Sequence, residues 1–223
     1  MKRFMIVALL VVFVVGCGST PRETKKAGTS SEGTTEVNSI DDKANPAEPG
    51  SLVGKDVSDL PDTGIVNQEG ESVSIRDYQG RPVVMSFIFS RCPMKKMCPL
   101  ITQKMVRVQN RLKQQKIRDV QFVSVSFDPE YDTPAVLKDY GKRYNPDYRR
   151  WDFWTGSKGT IERILDRFKI MVRRKKNGLP VSHNLRTYVL DESGTVRYWY
   201  RSSDWKVSNV VSRVKQVLES PSE

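Results

Sequence analysis

Apolar and polar positions along the chain follow two different periods, and their alternation predicts a mixed α/β domain. The nearly continuous apolar run 82–89 is typical of a strand that is buried on both faces. A second strand is predicted at 120–127, and a short third strand at 150–154. Apolar residues at helical spacing, together with cap residues and first-turn prolines, predict helices at 98–116, 132–144, 160–170 and 204–218.

Two hairpins complete the predicted elements. One has short alternating strands within 64–75, around a Glu69-Gly70 turn, and the other joins 184–190 to 195–200. The resulting order predicts an α/β protein with a thioredoxin-like fold, an N-terminal β-hairpin and an extra strand–helix insertion. The feature that favours this fold over other α/β folds is a cysteine motif placed between a central strand and the start of a helix.

The start of the chain has the layout of a secretory signal. Lys2 and Arg3 precede an apolar run, 4–15, that is shorter than the ~20 residues a membrane-spanning helix needs. The run ends in Val14-Val15-Gly16-Cys17, which resembles a bacterial lipobox, although that pattern prefers leucine where Val14 stands. We therefore predict a signal peptide at 1–16 and lipidation of Cys17. The alternative is an ordinary signal peptide with an incidental cysteine.

Residues 17–59 are predicted to form a disordered tether. They are rich in Ser, Thr, Glu, Lys, Gly and Pro, and they have almost no large apolar side chains to bury. The folded part is expected at 60–220, a length that suits one domain. The protein is thus expected to be an exported lipoprotein, anchored at the periplasmic or another extracytoplasmic face of a membrane.

The formal net charge of the whole chain is +11, and loss of Lys2 and Arg3 with the signal peptide would lower it to +9. Nucleic acid, anionic lipid headgroups or an acidic protein surface could each explain this excess. Export argues against nucleic acid, and a solvated basic surface without a special partner remains an alternative. The basic side chains cluster at Lys95-Lys96, 107–116, Arg149-Arg150 and 173–176.

Cys92 and Cys98 are the cysteines that remain if Cys17 is lipidated. A structural disulfide is one interpretation of such a pair in an exported protein. However, it would close a very small loop and so gain little loop-closure entropy. Cys98 is predicted at a helix N-terminus, whose N–H groups and dipole should stabilise a thiolate, and Lys95 and Lys96 should act in the same direction. These features favour a reactive pair.

His183 is the only histidine in the chain and immediately precedes a predicted strand. A lone histidine is more often an ordinary surface or core residue than a ligand. In thioredoxin-like folds, however, this segment packs beside the cysteine loop. Thiolates suit Cu(I), and an imidazole lets a site hold Cu(II) as well. Two cysteines and one histidine therefore favour copper over structural zinc, which usually has four protein ligands.

Four stretches, taken together, resemble the Sco (SenC) family of copper metallochaperones. They are Val83-Val-Met-Ser-Phe-Ile-Phe-Ser-Arg-Cys-Pro93, Met97-Cys-Pro-Leu100, 123–134 and 181–191. The resemblance implies that Cys92, Cys98 and His183 bind copper. It also implies delivery of copper to the centre of cytochrome c oxidase subunit II or to another exported copper protein.

Two positions depart from the family pattern. Five residues lie between Cys92 and Cys98, whereas the usual family loop has three, and the chain resembles a longer-loop variant found among bacterial members. Tyr131 stands where the family often has arginine. Asp128 matches an acidic position near the metal loop, so we expect it to order this loop or to support a ligand. A plain strand-end turn is the alternative for Asp128.

Two functions compete. The first is a non-enzymatic copper metallochaperone, and the second is an enzyme, a membrane-tethered thiol–disulfide oxidoreductase that uses Cys92 and Cys98 on exported client cysteines. The spacing of the pair differs from the two-residue gap of thioredoxin-type motifs, and disulfide exchange does not need His183. The two activities are compatible, because the reduced dithiol is the copper-binding form. A peroxiredoxin-type peroxidase is disfavoured, because Phe89 stands where those enzymes place threonine.

Overall fold

The computed structural model describes residues 52–219, which form two β-sheets and four α-helices. The strands are β1 (Ile65–Val66), β2 (Val83–Ile88), β3 (Gln121–Ser126), β4 (Trp151–Gly156), β5 (Val172–Arg174), β6 (Pro180–His183), β7 (Arg186–Leu190) and β8 (Val196–Arg201). The helices are α1 (Cys98–Gln114), α2 (Pro134–Lys142), α3 (Lys158–Arg167) and α4 (Val207–Glu219).

A six-stranded sheet of order β1-β4-β3-β2-β7-β8 forms the centre of the domain. Strands β2, β3 and β4 run parallel, whereas β1, β7 and β8 join as antiparallel neighbours. Every residue of β2 and β3 is buried. Continuous apolar strands of this kind need cover on both faces, as the sequence pattern indicated. The cysteine loop follows the carboxyl end of β2, in the middle of the sheet.

Contacts among the helices and the neighbouring strands fix the position of β2. α1 packs against α4, and a hydrogen bond of 2.8 Å between the hydroxyls of Thr102 and Tyr140 links α1 to α2. Beyond α3, the ring of Phe168 packs on Phe87 of β2 and Tyr188 of β7, with centroid distances of 5.3 and 5.0 Å. The strand that leads into the cysteine loop is therefore embedded in the core.

The predicted order of strands and helices is confirmed, but the N-terminal hairpin is smaller than predicted. Val66 and Ser72 form only an isolated antiparallel bridge, because β1 pairs instead with β4. The chain then enters a 3-10 turn, Ile75–Tyr78, in which Ser74 and Asp77 form a capping box. Local capping chemistry thus replaces the expected second strand.

The sequence pattern does not predict the small second sheet, in which β5 pairs with β6. Its two strands are short and mostly exposed or half-buried. β5 also carries two arginines and β6 begins with a proline, so the alternation that identifies strands of the main sheet is missing. This sheet matters because it ends in His183.

Residues 52–57, which precede the predicted domain boundary at residue 60, already pack on the domain. Leu52 and Val57 are buried, and the N–H of Gly54 donates to the carbonyl of Val196 at 2.8 Å. The predicted signal peptide, Cys17 and the tether up to residue 51 lie outside the described residues. Between residues 52 and 219, no helix has the length and apolar character needed to cross a bilayer.

Candidate metal centre

Cys92 and Cys98 lie in the connection between β2 and α1. The N–H of Cys92 donates to the carbonyl of Phe89 at 3.3 Å, which turns the chain just beyond the buried strand. Cys98 is the first residue of α1, and Pro99 occupies the first helical turn, where its missing N–H has no role. Cys98 is fully buried, Cys92 is half-buried, and both are free thiols.

His183, the last residue of β6, brings its imidazole to the two cysteines. Its Nε2 lies 3.7 Å from the Sγ of Cys98. The ligand atoms of Cys92, Cys98 and His183 all lie within 4.8 Å of one another. The structure therefore brings together the three residues that the sequence predicts as metal ligands. Within the described part of the chain, this is the one such cluster of Cys, His, Asp and Glu side chains.

A backbone carbonyl and two aromatic rings orient the imidazole of His183. Its Nδ1 lies 3.1 Å from the carbonyl oxygen of Asn184. When Nδ1 donates a proton to this carbonyl, Nε2 presents its lone pair to the sulfurs, as a metal ligand must. The rings of Phe127 and Phe89 pack against the imidazole, with centroid distances of 4.6 and 5.9 Å.

The pKa values of the two thiols are shifted in opposite directions. A hydrogen bond with the Cys98 thiol lowers the pKa of Cys92 to about 4, and hydrogen bonds with His183 and the backbone of Met94 act the same way. The hydrogen bond to Cys92 and burial raise the pKa of Cys98, which therefore keeps the shared proton. The prediction of a Cys98 thiolate is thus wrong for the free dithiol. The first thiolate forms at Cys92, the more exposed sulfur.

Asp128 connects the cysteine loop to the sheet that carries His183. Its carboxylate is almost fully buried, accepts a hydrogen bond of 2.7 Å from Nε of Arg91, and lies 3.5 Å from Nη1 of Arg174. Arg91 directly precedes Cys92, and Arg174 ends β5. One buried carboxylate therefore pairs with two arginines, one beside Cys92 and one on the hairpin that carries His183.

Asp132 is a buried carboxylate whose role the sequence analysis missed. It accepts hydrogen bonds from the backbone N–H of Ser90 at 3.0 Å, from the Ser126 hydroxyl at 2.5 Å and from the Ser90 hydroxyl, and burial raises its pKa. It thereby fastens the ends of β2 and β3 together, while Thr133 caps α2. The available signal was a serine at the carboxyl end of both buried strands.

A mostly apolar groove of about 570 Å³ opens beside the cluster. Cys92 and His183 line it, together with Met94 and Val181, whose side chains are 52% and 48% exposed. Cys98 lies deeper. A metal ion or another protein can therefore reach the cluster from solvent along the side that Cys92 and His183 form.

Comparison with known protein families identifies the domain. The sequence model of the SCO1/SenC family matches residues 62–219. The chain belongs to the SCO1/SenC family. The resemblance recognised in the cysteine loop, the Asp-Pro segment and the histidine segment is thereby confirmed.

Relatives within the SCO1/SenC family cover most of the described domain. The SCO1 protein homolog of Bacillus subtilis is 34% identical over 152 residues, which is 67% of this chain and 77% of that protein. A SCO2-like protein of Rickettsia typhi is 30% identical over 143 residues, 61% of this chain and 67% of that protein.

Solved structures confirm the thioredoxin-like fold of the domain. A SCO1/SenC family lipoprotein from Bacillus anthracis superposes with a TM-score of 0.65 at 29% identity, over 74% of this chain and 99% of that chain. The BsSco structure gives 0.62 at 28% identity, over 75% and 98%. Yeast Sco1 with copper bound gives 0.61 at 20% identity, over 73% and 91%, a likeness of fold.

The donor set of this SCO1/SenC domain fits a soft metal ion. Bonds of about 2.3 Å to sulfur and about 2.0 Å to nitrogen, the lengths seen for zinc, place three ligands around one ion about 4 Å apart. The ligand atoms lie within 4.8 Å of one another, so side-chain movements of about an ångström would bring them to this spacing. Two sulfurs and one imidazole form a donor set suited to copper.

Proposed function

We propose that this protein is a copper metallochaperone. Cys92, Cys98 and His183 bind copper, and the protein delivers it for assembly of the copper centre of cytochrome c oxidase subunit II or of another exported copper protein. The observation that carries the proposal is the convergence of two sulfurs and one imidazole nitrogen within 4.8 Å. Copper is here a cargo, which agrees with a site that opens into a groove.

The protonation of the site supports copper binding near neutral pH. Metal ligands must be deprotonated, and protons compete with the metal for them. Because the pKa of Cys92 is lowered to about 4, its thiolate is available without that competition. Copper would displace the remaining proton of Cys98, and its positive charge would offset the negative charge of the two neighbouring sulfurs.

Descriptions of related structures support the recipient. BsSco is described as a member of the Sco family of cytochrome c oxidase assembly proteins. The Sco proteins of yeast and Arabidopsis thaliana are described with copper bound. These statements concern those proteins, and together with the shared family they favour the same cargo and the same kind of client for this chain.

A copper titration of the reduced protein tests the binding step. We expect stoichiometric Cu(I) binding by the wild type, weaker binding by His183→Ala, and unchanged binding by Ser182→Ala, which alters an exposed neighbour on the same strand. The Cu(II) complex of His183→Ala should also lose its nitrogen couplings in electron paramagnetic resonance. Copper binding that is weak, or indifferent to His183, would contradict the proposal.

A transfer experiment tests delivery. The copper-loaded protein is mixed with the copper-free soluble part of a cytochrome c oxidase subunit II, and the two are separated and analysed for metal. Copper should move to the subunit II fragment, whereas a fragment without its copper-binding cysteines should receive none. Retention of all copper on the donor would exclude direct delivery to this client.

We further propose that the protein is exported and anchored by a lipid on Cys17, after removal of residues 1–16, with 17–59 as a tether. The related structure from Bacillus anthracis is described as a lipoprotein, which supports this location. A tether would raise the effective concentration of the domain near a membrane-bound client. Mass spectrometry of the membrane-extracted protein should show an acylated N-terminal Cys17, and a freely soluble protein without this modification would refute the anchor.

Thiol–disulfide exchange is a second candidate function, and the state of the cysteine pair favours it. Both thiols are free and close, the more exposed Cys92 has the lowered pKa, and BsSco is described with a disulfide switch. Reduction of a small disulfide substrate should be as fast in His183→Ala as in the wild type if exchange is the function. Exchange no faster than that of a free thiol would exclude it.

A further inference from the structure

The described chain begins at the end of the domain opposite the metal centre. The N–H of Val57 donates to the carbonyl of Gly194 at 3.1 Å, which places the start of the domain beside the turn between β7 and β8. Leu190, at the end of β7, pairs with Val83, the first residue of β2. The cysteine loop follows the other end of β2. The described chain therefore starts at the edge of the domain farthest from the cysteines.

A basic patch lies along this same edge. α1 starts at Cys98 and runs back across the sheet, so that its last residue, Gln114, is about 24 Å from its first, at 1.5 Å per residue. The residues just before β2, β3 and β4, together with the end of α1, supply the positive side chains. The basic patch consists of Arg81, Lys113, Lys116, Arg118, Arg149 and Arg150.

Carboxylates neutralise only part of the basic patch. Asp119 lies 3.7 Å from Arg81 and 3.4 Å from Arg150, and Asp147 lies 2.6 Å from Arg149. The patch has six cationic side chains and only these two carboxylates beside it, so four positive charges are in excess.

The shape of the basic patch suits an anion. A groove of about 260 Å³ runs through it, and Lys113, Arg118, Arg149 and Arg150 line this groove. The Nε of Arg150 is buried and has no hydrogen-bond partner among the described residues. An anionic group at the patch would thus meet several donors in a small area.

We infer that the basic patch binds the headgroups of anionic phospholipids and orients the domain with its metal cluster facing away from the bilayer. The inference rests on the proposed lipid anchor at Cys17. Residues 18–51 can span at most about 120 Å when fully extended, so an anchored domain stays near the bilayer. Lysines and arginines close to an anionic surface are attracted to it, within a range of about 10 Å at 0.1 M salt.

The position of the patch favours a lipid over an acidic protein. The patch shares its edge with the start of the described chain, which is the part of the domain that an anchor at Cys17 would hold nearest the membrane. The metal cluster has its own basic neighbours, among them Arg173 and Lys175, at the opposite end. A client protein docks where copper leaves, and that is the end with the groove beside Cys92 and His183.

Lysine footprinting of the processed full-length protein tests the inference. The protein is reconstituted into vesicles of phosphatidylcholine, with or without phosphatidylglycerol, and acetylated briefly with an amine reagent. Mass spectrometry then gives the rate at each lysine. We expect Lys113 and Lys116 to react several-fold more slowly on phosphatidylglycerol vesicles, while Lys95, Lys96 and Lys175 react at the same rate on both. High salt should abolish the protection.

Two matched variants control for net charge. Arg118→Glu with Arg149→Glu should remove the protection of Lys113 and Lys116. Arg173→Glu with Lys176→Glu, which makes the same change in charge at the other end, should preserve it. Circular dichroism checks that each variant is folded.

Several outcomes would overturn the inference. Equal rates on both kinds of vesicle would exclude headgroup binding and leave a protein partner for the patch. Protection on pure phosphatidylcholine upon addition of inorganic phosphate would assign the patch to a free anion. Flotation of the protein with phosphatidylcholine vesicles at high salt measures membrane attachment by the lipid anchor alone. Loss of the anchor can therefore be distinguished from loss of headgroup binding.

Discussion

The two cysteines lie in the connection between β2 of the central sheet and α1, whereas His183 ends a strand of the separate two-stranded sheet β5–β6. Cys98 is held by a buried strand before it and by a 17-residue helix after it. β6 has four residues, and its hairpin is largely exposed. The two halves of the metal cluster therefore differ in rigidity. The sulfurs are held by the core, while the imidazole depends on a small number of specific contacts.

The contacts that position the histidine hairpin are mostly polar. Arg174 donates to the carbonyls of Phe127 and Gly178 and pairs with Asp128. Asn184 accepts from the N–H of Met171 at 2.9 Å and donates to Lys169 at 2.9 Å. Polar contacts of this kind tie a surface hairpin to a core with little apolar burial. The comparison predicts that changes on the cysteine side abolish binding, while changes on the histidine side weaken it.

The largest effect is expected from Cys98→Ser. The substitution keeps the shape of the side chain but removes a sulfur ligand that is fully buried. Because a hydroxyl is a poor ligand for Cu(I), Cu(I) affinity should fall by several orders of magnitude in a competition titration with a chelator. Met97→Leu, which changes the lining of the groove but none of the three cluster residues, should bind as the wild type does. Retained tight binding by Cys98→Ser would mean that the core sulfur is not a ligand.

Asp128→Asn should affect both halves of the cluster. It leaves Arg91 and Arg174 beside a neutral amide in place of a carboxylate that is 1% exposed. Removal of one partner of a buried ion pair costs about 3 kcal/mol in unfolding free energy, and loss of a group that orients ligands lowers metal affinity roughly 10- to 100-fold. Urea denaturation and copper titration measure the two effects. A variant of wild-type stability would show that Asp128 is only a turn residue.

Arg174→Gln should affect the histidine side of the metal cluster and leave the cysteine side unchanged. The hydrogen bonds and ion pair of Arg174 go to Asp128, Gly178 and Phe127, not to the cysteine loop. Copper affinity should therefore fall about tenfold, while alkylation of Cys92 keeps its wild-type rate. Arg91→Gln is the matched change on the cysteine side, since it breaks the other pair of Asp128. Equal changes in the alkylation rate of Cys92 in both variants would contradict this prediction, because the hairpin and the cysteine loop would then be held together as one unit.

The smallest effect is expected in the pH dependence of Cys92. Its pKa is lowered from 9.0 to about 4, and His183 contributes to this shift. Alkylation of Cys92 should therefore have its half-maximal rate near pH 4. Both His183→Ala and Cys98→Ser should raise the pH of the half-maximal rate, and His183→Ala should raise it less. The rate of iodoacetamide labelling, followed by mass spectrometry from pH 3 to 9, measures both shifts.

The same pKa values give the sign of the stability change. Between pH 4 and 9 the folded protein has a Cys92 thiolate and the unfolded chain a thiol, so the unfolded state binds more protons and stability rises with pH. Above pH 9 the raised pKa of Cys98 reverses the sign, because the unfolded thiol then loses a proton that the folded one retains. The urea concentration at the unfolding midpoint of the reduced protein should therefore rise with pH, reach a maximum near pH 9 and then fall. In Cys92→Ser, the rise between pH 4 and 9 should be smaller.

Much of the site follows from the sequence because its parts are local. The apolar run before Cys92 specifies a buried strand, and Pro99 marks the first turn of the helix that begins at Cys98. The residue types of the pair and of His183 restrict the chemistry to soft metals and thiol exchange. The family and the thioredoxin-like fold could also be predicted, since the four matching stretches lie in order along the chain.

The parts that were not predicted depend on partners far apart in sequence. The sheet β5–β6 has no apolar alternation, so its existence depends on anchoring by Asp128 and Phe127. The role of Asp132 requires knowing that Ser126 ends β3 and that Ser90 follows the end of β2, its parallel neighbour. The packing of residues 52–57 likewise depends on β8, which lies near the other end of the chain.

The sequence alone determined the four helices, most strands of the main sheet and the three candidate copper ligands, because periodicity and residue type act locally. Tertiary structure decided how those side chains are used. It brings His183 to Cys98 across 85 positions of sequence, and it makes Cys92 the first thiolate instead of Cys98. The physical reason is that pKa values and ligand geometry depend on burial and on hydrogen-bond partners, and both are set only when distant segments pack together.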